Sequence, residues 1–205
     1  MIKPPFFTKK ELIGIFTILL LLVGVSFYNF KISFRRARDI KRRDDLTFLA
    51  VALERFYNDY EMYPPASADG KIIDCLPAGI TTEDIKKIIG GNPSLNRKKI
   101  FSALGSCEWG ASSLADVSDP SIPIYLSVIP KDPRSVDGFS YFYFSTTKHY
   151  QLYGSFEGKD LSEYNKNIVA RAIECGNRIC NFGKTSRGTP LDKSLSEYEK
   201  NLLQR

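Results

Sequence analysis

From Val25 to Tyr63 the chain contains neither glycine nor proline, the two residues that most often interrupt helices. Overlapping the start of that stretch, Leu12–Phe30 is an apolar run in which Thr17, Ser26 and Asn29 are the only clearly polar side chains. Together the two segments predict one helix of roughly fifty residues, about 75 Å long at ~1.5 Å per residue. A helix of that length is unusual in a globular protein and constrains everything attached to it. Its first part is apolar all round and its middle is basic. Its last part is amphipathic, with Leu46, Leu49, Leu53, Phe56 and Tyr60 at steps of three and four. Pro64 and Pro65 end the pattern.

As a helix the apolar run spans roughly 28 Å, close to the ~30 Å hydrocarbon core of a bilayer. A secretory signal carries a shorter apolar core, about 7–15 residues, and then small residues at its cleavage site. Here the bulky Phe27, Tyr28 and Phe30 occupy that place, so the segment is expected to be a retained anchor. Orientation is left open by two opposed signals. Lys3, Lys9 and Lys10 precede the run, whereas Lys31, Arg35, Arg36, Arg38, Lys41, Arg42 and Arg43 follow it against a single acid, Asp39. The positive-inside rule alone would keep the C-terminal part in the cytoplasm. The cysteines point the other way. Cys75, Cys107, Cys175 and Cys180 contain no C-x-x-C pair, which argues against zinc and for two disulfides. Four cysteines allow three connectivities; adjacency favours Cys175–Cys180, leaving Cys75 to Cys107, and such bonds need an oxidising compartment.

The formal charge of +6 is mild and concentrated in the basic middle of the helix, so it does not by itself imply nucleic acid. Beyond Pro65 the texture changes to short elements, which predicts an α+β domain. Short helices are expected over Thr81–Ile89 and Asn92–Leu104, and a loop over Ser113–Pro123. An aromatic hairpin is expected over Phe139–Thr147 and Tyr150–Gly158. Asp160–Glu174 reads as helical and Leu191–Leu203 as a final short helix. The intervening Asn181–Lys193 is polar and reads as a mobile tail. Gly138–Phe144 comes near the aromatic strand motif of RNA-recognition domains, but Asp137 sits where a basic residue belongs and no second such motif follows. Packing against the long helix is the expected job of those rings. No catalytic residues and no enzyme activity are expected, since His149, the one histidine, falls in a hairpin turn with no nucleophile motif beside it.

Three segments resemble the type IV pilins and type II secretion pseudopilins. Phe7-Thr8-Lys9-Lys10-Glu11 is similar to that family's Phe-Thr-x-x-Glu lead into a retained hydrophobic helix. Ala37–Pro65 resembles the exposed half of its long helix, and Tyr125–Pro133 the segment before the sheet of major pseudopilins. The resemblance implies a pilin-like lollipop, in which a long, partly transmembrane helix packs on a small antiparallel sheet. It divides the chain into a leader at 1–6, a helix at 7–63 that is transmembrane over about 12–30, a head at 64–174, and a disulfide loop with C-terminal tail at 175–205. It also implies leader cleavage between Phe6 and Phe7, and assembly through Phe7 and Glu11, the glutamate meeting the N-terminal amine of a neighbouring subunit. The implied partners are copies of the same chain, other pilins, an inner-membrane assembly platform and a prepilin peptidase. The implied location is a single-pass membrane protein with a cytoplasmic N-terminus and an extracytoplasmic head that joins a cell-surface filament. No cofactor is expected beyond calcium, which some major pseudopilins bind and for which Asp132 and Asp137 are the candidates.

Two departures stand out. Phe6 occupies the position of the glycine after which the family's peptidase cuts, and Lys9 and Lys10 stand where apolar residues are usual. Glu11 also has a purely local reading, because Thr8 and Glu11 form a capping-box pattern. The rival classes are a signal-anchored extracytoplasmic binding protein that never polymerises, and a tethered nucleic-acid-binding protein, as in DNA uptake, using the basic run at 35–43.

Overall fold

In the computed structural model, which describes residues 8–76, 84, 87, 101–115 and 124–204, helix α1 runs unbroken from Lys9 to Tyr60, 52 residues. Thr8 caps its start. Its end is set by Glu61, which turns left-handed (φ 55°) and donates its N–H to the Tyr57 carbonyl at 2.7 Å. The two prolines then forbid continuation.

The helix has two environments. Leu12, Ile13, Phe16, residues 19–23, Phe27, Phe30 and Phe34 are exposed, Ile32 is half-buried, and none of the helix's most apolar window is buried in the fold. That window is long and apolar enough to cross a membrane. From Arg35 onward one face turns to the rest of the chain. Asp39, Arg42, Asp45, Leu46, Leu49, Leu53 and Phe56 are all buried on it, at the three- and four-residue steps of a helical stripe.

Against this stripe lie two antiparallel sheets, which makes the fold α+β. Strands β1 (Ile73–Cys75) and β2 (Gly105–Ser106) form the smaller one. Strands β3 (Phe142–Ser145), β4 (Tyr150–Gly154) and β5 (Phe182–Thr185) form the larger, in the order β3-β4-β5. The hairpin register sets Phe142 opposite Tyr153 and Ser145 opposite Tyr150. Every residue of the central strand β4 is buried because both faces of the sheet are covered. Tyr150 and Leu152, with Tyr141 and Tyr143, pack into the core that contains Leu46, Leu49, Leu53 and Phe56. Gln151 and Tyr153 face the other way, where the C-terminal segment covers them. The Gln151 amide donates to the carbonyls of Pro190 and Lys193, and the Tyr153 hydroxyl to that of Leu191. The hairpin rings therefore divide, Tyr141 and Tyr143 going to the helix side and Phe142 and Phe144 meeting at a tilt on the far face, ring centroids 4.7 Å apart.

Three expectations are corrected. Asn181–Lys193 is built into the head rather than forming a tail, and β5 within it completes the sheet. Phe182 is fully buried and stacks on Phe156, with ring centroids 3.6 Å apart. Gly183 admits the close approach, since a Cβ there would lie 2.5 Å from the Leu152 carbonyl oxygen. Asp160–Glu174 is helical only over α2 (Lys166–Ala170). Asn165 is held extended as its N-cap and Ala172 turns left-handed (φ 52°), so neither end can extend. The final helix, α3, starts later than expected, at Leu195–Leu203 behind the Ser194 cap. The helix expected over Thr81–Ile89 lies outside the described residues except Asp84 and Lys87, as does most of Asn92–Leu104 and of the loop 113–123. Cys75 is joined to Cys107 and Cys175 to Cys180, with Cα separations of 5.1 and 5.2 Å.

Leu53 is fully buried at the middle of the stripe. In a fragment beginning at Phe27, Leu53→Ala should lower the unfolding free energy by about 2–5 kcal/mol, as core leucine truncations do. Urea denaturation measures it; a loss under about half a kcal/mol would show that the stripe does not hold the head.

Candidate functional site

The basic run that follows the apolar segment has a helical phase. Arg35, Asp39, Arg42 and Asp45 fall at steps of three and four and continue into Leu46 and Leu49, so the charged residues occupy the face turned to the head. The head meets them with acids from two places: Asp132, ahead of the β3–β4 hairpin, and Glu157 and Asp160, in the loop that follows β4.

Arg42 is the centre, with no solvent exposure. Its Nε and Nη2 donate to the two carboxylate oxygens of Asp132 at 2.8 and 3.0 Å, a bidentate pair. Its Nη1 donates to Asp39 and to Glu157, both at 2.8 Å. The guanidinium also lies 5.1 Å from the ring centre of Phe139, and Arg134 and Arg178 approach the same ring at 4.9 and 5.3 Å. Arg38 donates twice to Glu157, at 2.7 Å each, and Arg134 bridges Glu157 and Asp137 at 3.2 and 2.8 Å. Asp39 reaches across from the helix to accept the backbone N–H groups of Glu157 and Gly158 at 2.8 and 3.0 Å. Nearer the apolar run, Arg35 and Arg36 share Asp160 at 2.7 and 2.8 Å. Gly158 lies against them, and a Cβ there would displace the Arg35 guanidinium from its present place.

Further along the helix the charges are met by phenols. Tyr141 donates to Asp45 at 2.8 Å, Tyr63 to Glu54 at 3.0 Å and Tyr125 to Asp59 at 2.5 Å. The seam thus passes from ion pairs to tyrosine–carboxylate bonds as it gains apolar neighbours. Burial favours the neutral form of Glu157, but the hydrogen bonds from Arg38 and Arg42 outweigh it and hold its pKa down, from 4.5 to about 2. Burial likewise disfavours the Arg42 cation, and the bonds to Asp132 and Glu157 reverse that effect and hold its pKa above the ordinary value.

The predicted site residues are scattered rather than gathered. Phe6 and Phe7 lie outside the described residues. Glu11 closes a capping box: its carboxylate accepts the Thr8 N–H at 2.7 Å while its own N–H donates to the Thr8 hydroxyl at 3.4 Å. Of the calcium candidates, Asp132 has both oxygens on Arg42 and Asp137 is paired with Arg134, so guanidinium groups stand where a cation would. Among the described residues no three His, Cys, Asp or Glu side chains are gathered to hold a metal. His149 sits half-buried in the turn between β3 and β4. Its Nδ1 lies 2.8 Å from Glu199 and its ring meets Tyr198 edge-on, which ties the hairpin turn to α3. The role of Asp132, Glu157 and Asp160 was missed in the sequence, although the helical phase of Asp39, Arg42 and Asp45 gave a signal for it.

Comparison of the chain with family models, with curated proteins and with solved structures returns no match.

Arg42→Ala strands Asp39, Asp132 and Glu157 without their shared cation, and should cost about 3–5 kcal/mol, the usual penalty for halving a buried pair. Breaking the exposed Arg36–Asp160 contact should cost under about 1 kcal/mol. Denaturant unfolding of both variants separates the two. Because the Glu157 pKa is lower folded than unfolded, its contribution is complete above pH 4.5 and is lost as pH falls toward about 2. Wild type should therefore lose about 3 kcal/mol more than Glu157→Gln over that range, measured by unfolding at a series of pH values.

Proposed function

We propose that the chain is a membrane-anchored subunit of the type IV pilin and type II secretion pseudopilin kind, which polymerises through its N-terminal helix. The observation that carries this reading is the division of α1. One continuous helix is wholly outside the fold over its apolar half and forms the spine of an α+β domain over the rest. A helix that merely anchored a domain would not need to be continuous with that domain's core. A subunit whose helix is drawn out of a bilayer and packed against others needs this continuity, because the head must follow the helix.

On this reading the function is mechanical and not catalytic. Leu12–Phe30 holds the subunit in the bilayer before assembly and lies in the filament interior afterwards. The head is extracytoplasmic, in keeping with the two disulfides. Phe7 and Glu11 set the register against the neighbouring subunit, the Glu11 carboxylate pairing with an amine exposed at Phe7 by cleavage after Phe6. The partners are then copies of the chain, companion pilins, the assembly platform and the peptidase.

The test compares surface-sheared filaments from wild type, Glu11→Ala and Phe6→Gly. Glu11→Ala should leave membrane insertion and head folding intact, since it removes only the N3 half of a capping box at a helix end, worth a few tenths to about 1 kcal/mol. Filament yield should nevertheless fall to background. Phe6→Gly supplies the family's cleavage residue and should raise processing, read by mass spectrometry of the N-terminus. If no variant, wild type included, yields filaments while the protein stays in the membrane, the non-polymerising signal-anchor reading replaces this one.

A further inference from the structure

The spacing between the apolar run and the head places one loop at a defined height. Phe30 ends the run, and Arg35 is the first α1 residue that the head holds by an ion pair. Four residues of helix lie between them, so the two are five steps or about 7.5 Å apart along the axis. The headgroup layer on each side of a bilayer is itself roughly 5–8 Å deep. On the reading that Leu12–Phe30 spans a bilayer, the loop carrying Gly158, Lys159 and Asp160 therefore meets the lipid phosphates. Between run and loop the helix presents Phe34, 63% exposed, an apolar ring suited to the interfacial zone.

Charge selects the kind of surface this base would meet. Higher on the head, the cations of the seam are matched by Asp39, Asp132, Asp137 and Glu157. At the base the balance tips: among the described residues Lys31, Arg35, Arg36 and Lys159 are met at that level by Asp160, with Asp39 and Glu157 acting on Arg35 from higher on the seam. The Arg36 side chain is 58% exposed, and Lys31 and Lys159 are exposed. The Lys159 ammonium lies 5.9 Å from the ring centre of Tyr164, at the surface of the loop. The excess of positive charge thus sits at the level where the bilayer's phosphates are, close enough to act within a screening length.

We propose that the base of the head, the 158–160 loop with Lys31, Arg35 and Arg36 of α1, seats on the phosphate groups of an anionic bilayer surface. This contact holds the unassembled subunit upright and is broken when the helix is withdrawn. It rests on the spanning reading of α1, and its test is arranged to separate the two.

The full-length chain is placed in nanodiscs of phosphatidylcholine alone, or of phosphatidylcholine and phosphatidylglycerol in equal parts, and amide hydrogen exchange is followed. Exchange over 158–162 should be several-fold slower in the anionic discs, with β4 and β5 unchanged. The difference should vanish at about 1 M salt, where the screening length falls to ~3 Å. It should also vanish in Lys159→Glu and survive in Lys159→Arg. Equal exchange in the two kinds of disc, with the chain resistant to alkaline carbonate extraction, overturns the contact while leaving the spanning helix in place. Extraction of the chain by carbonate overturns both. Equal slowing by duplex DNA added to zwitterionic discs overturns it as well, in favour of a nucleic-acid surface.

Discussion

One guanidinium holds the helix to the head. Arg42 reaches Asp132 ahead of the β3–β4 hairpin, Glu157 just past its end, and Asp39 one turn back on its own helix. The two ends of the hairpin are thereby tied to a single point on α1, across sequence separations of 90 and 115 residues. A lysine could not do this. Its ammonium is a point charge on a flexible stem, whereas the planar fork offers fixed donor directions to three carboxylates at once. The cost of removing so many charges from water is met only because each has a partner, which makes the knot sensitive to the loss of any one of them.

The seam changes character along the helix for a physical reason. If the stripe above Leu46 were leucine, the apolar surface would run without a mark from Leu12 to Phe56, and nothing in the chain would say where a membrane segment stops. Charged residues mark that limit. Placed at helical spacing and met by acids from the head, they also bury against it. The arginines therefore both end the apolar segment and begin the core, and Leu46, Leu49, Leu53 and Phe56 carry on where hydrophobic burial alone suffices.

Much of this was legible in the sequence, for local reasons. The helix followed from a long absence of breakers, its buried face from the periodicity of five side chains, and the hairpin from its wealth of aromatic residues with high strand propensity. What was not legible depends on contacts between distant residues. Phe182-Gly183-Lys184-Thr185 has one apolar side chain and reads as a loop; it is a strand because β4 offers an edge and Gly183 lets the backbones approach. His149 finds Glu199 only once α3 has folded back. The basic run was visible as a count of charges, but a count carries no direction. Its phase, Asp39 and Asp45 included, was the information that located the junction.

The unbroken passage of α1 from apolar segment to core has a consequence for orientation about the helix axis. With no flexible joint, the head's azimuth relative to the apolar segment is fixed by how many residues lie between that segment and the Arg42 knot. Each residue added there would turn the head by about 100° and raise it by about 1.5 Å. The bearing of the head relative to the apolar segment is therefore set by chain length in a short stretch, Lys31 to Phe34. Any torque applied to the apolar end of the helix would reach the head as rotation, with the ion pairs and tyrosine hydroxyls of the seam acting as the teeth that keep it from slipping.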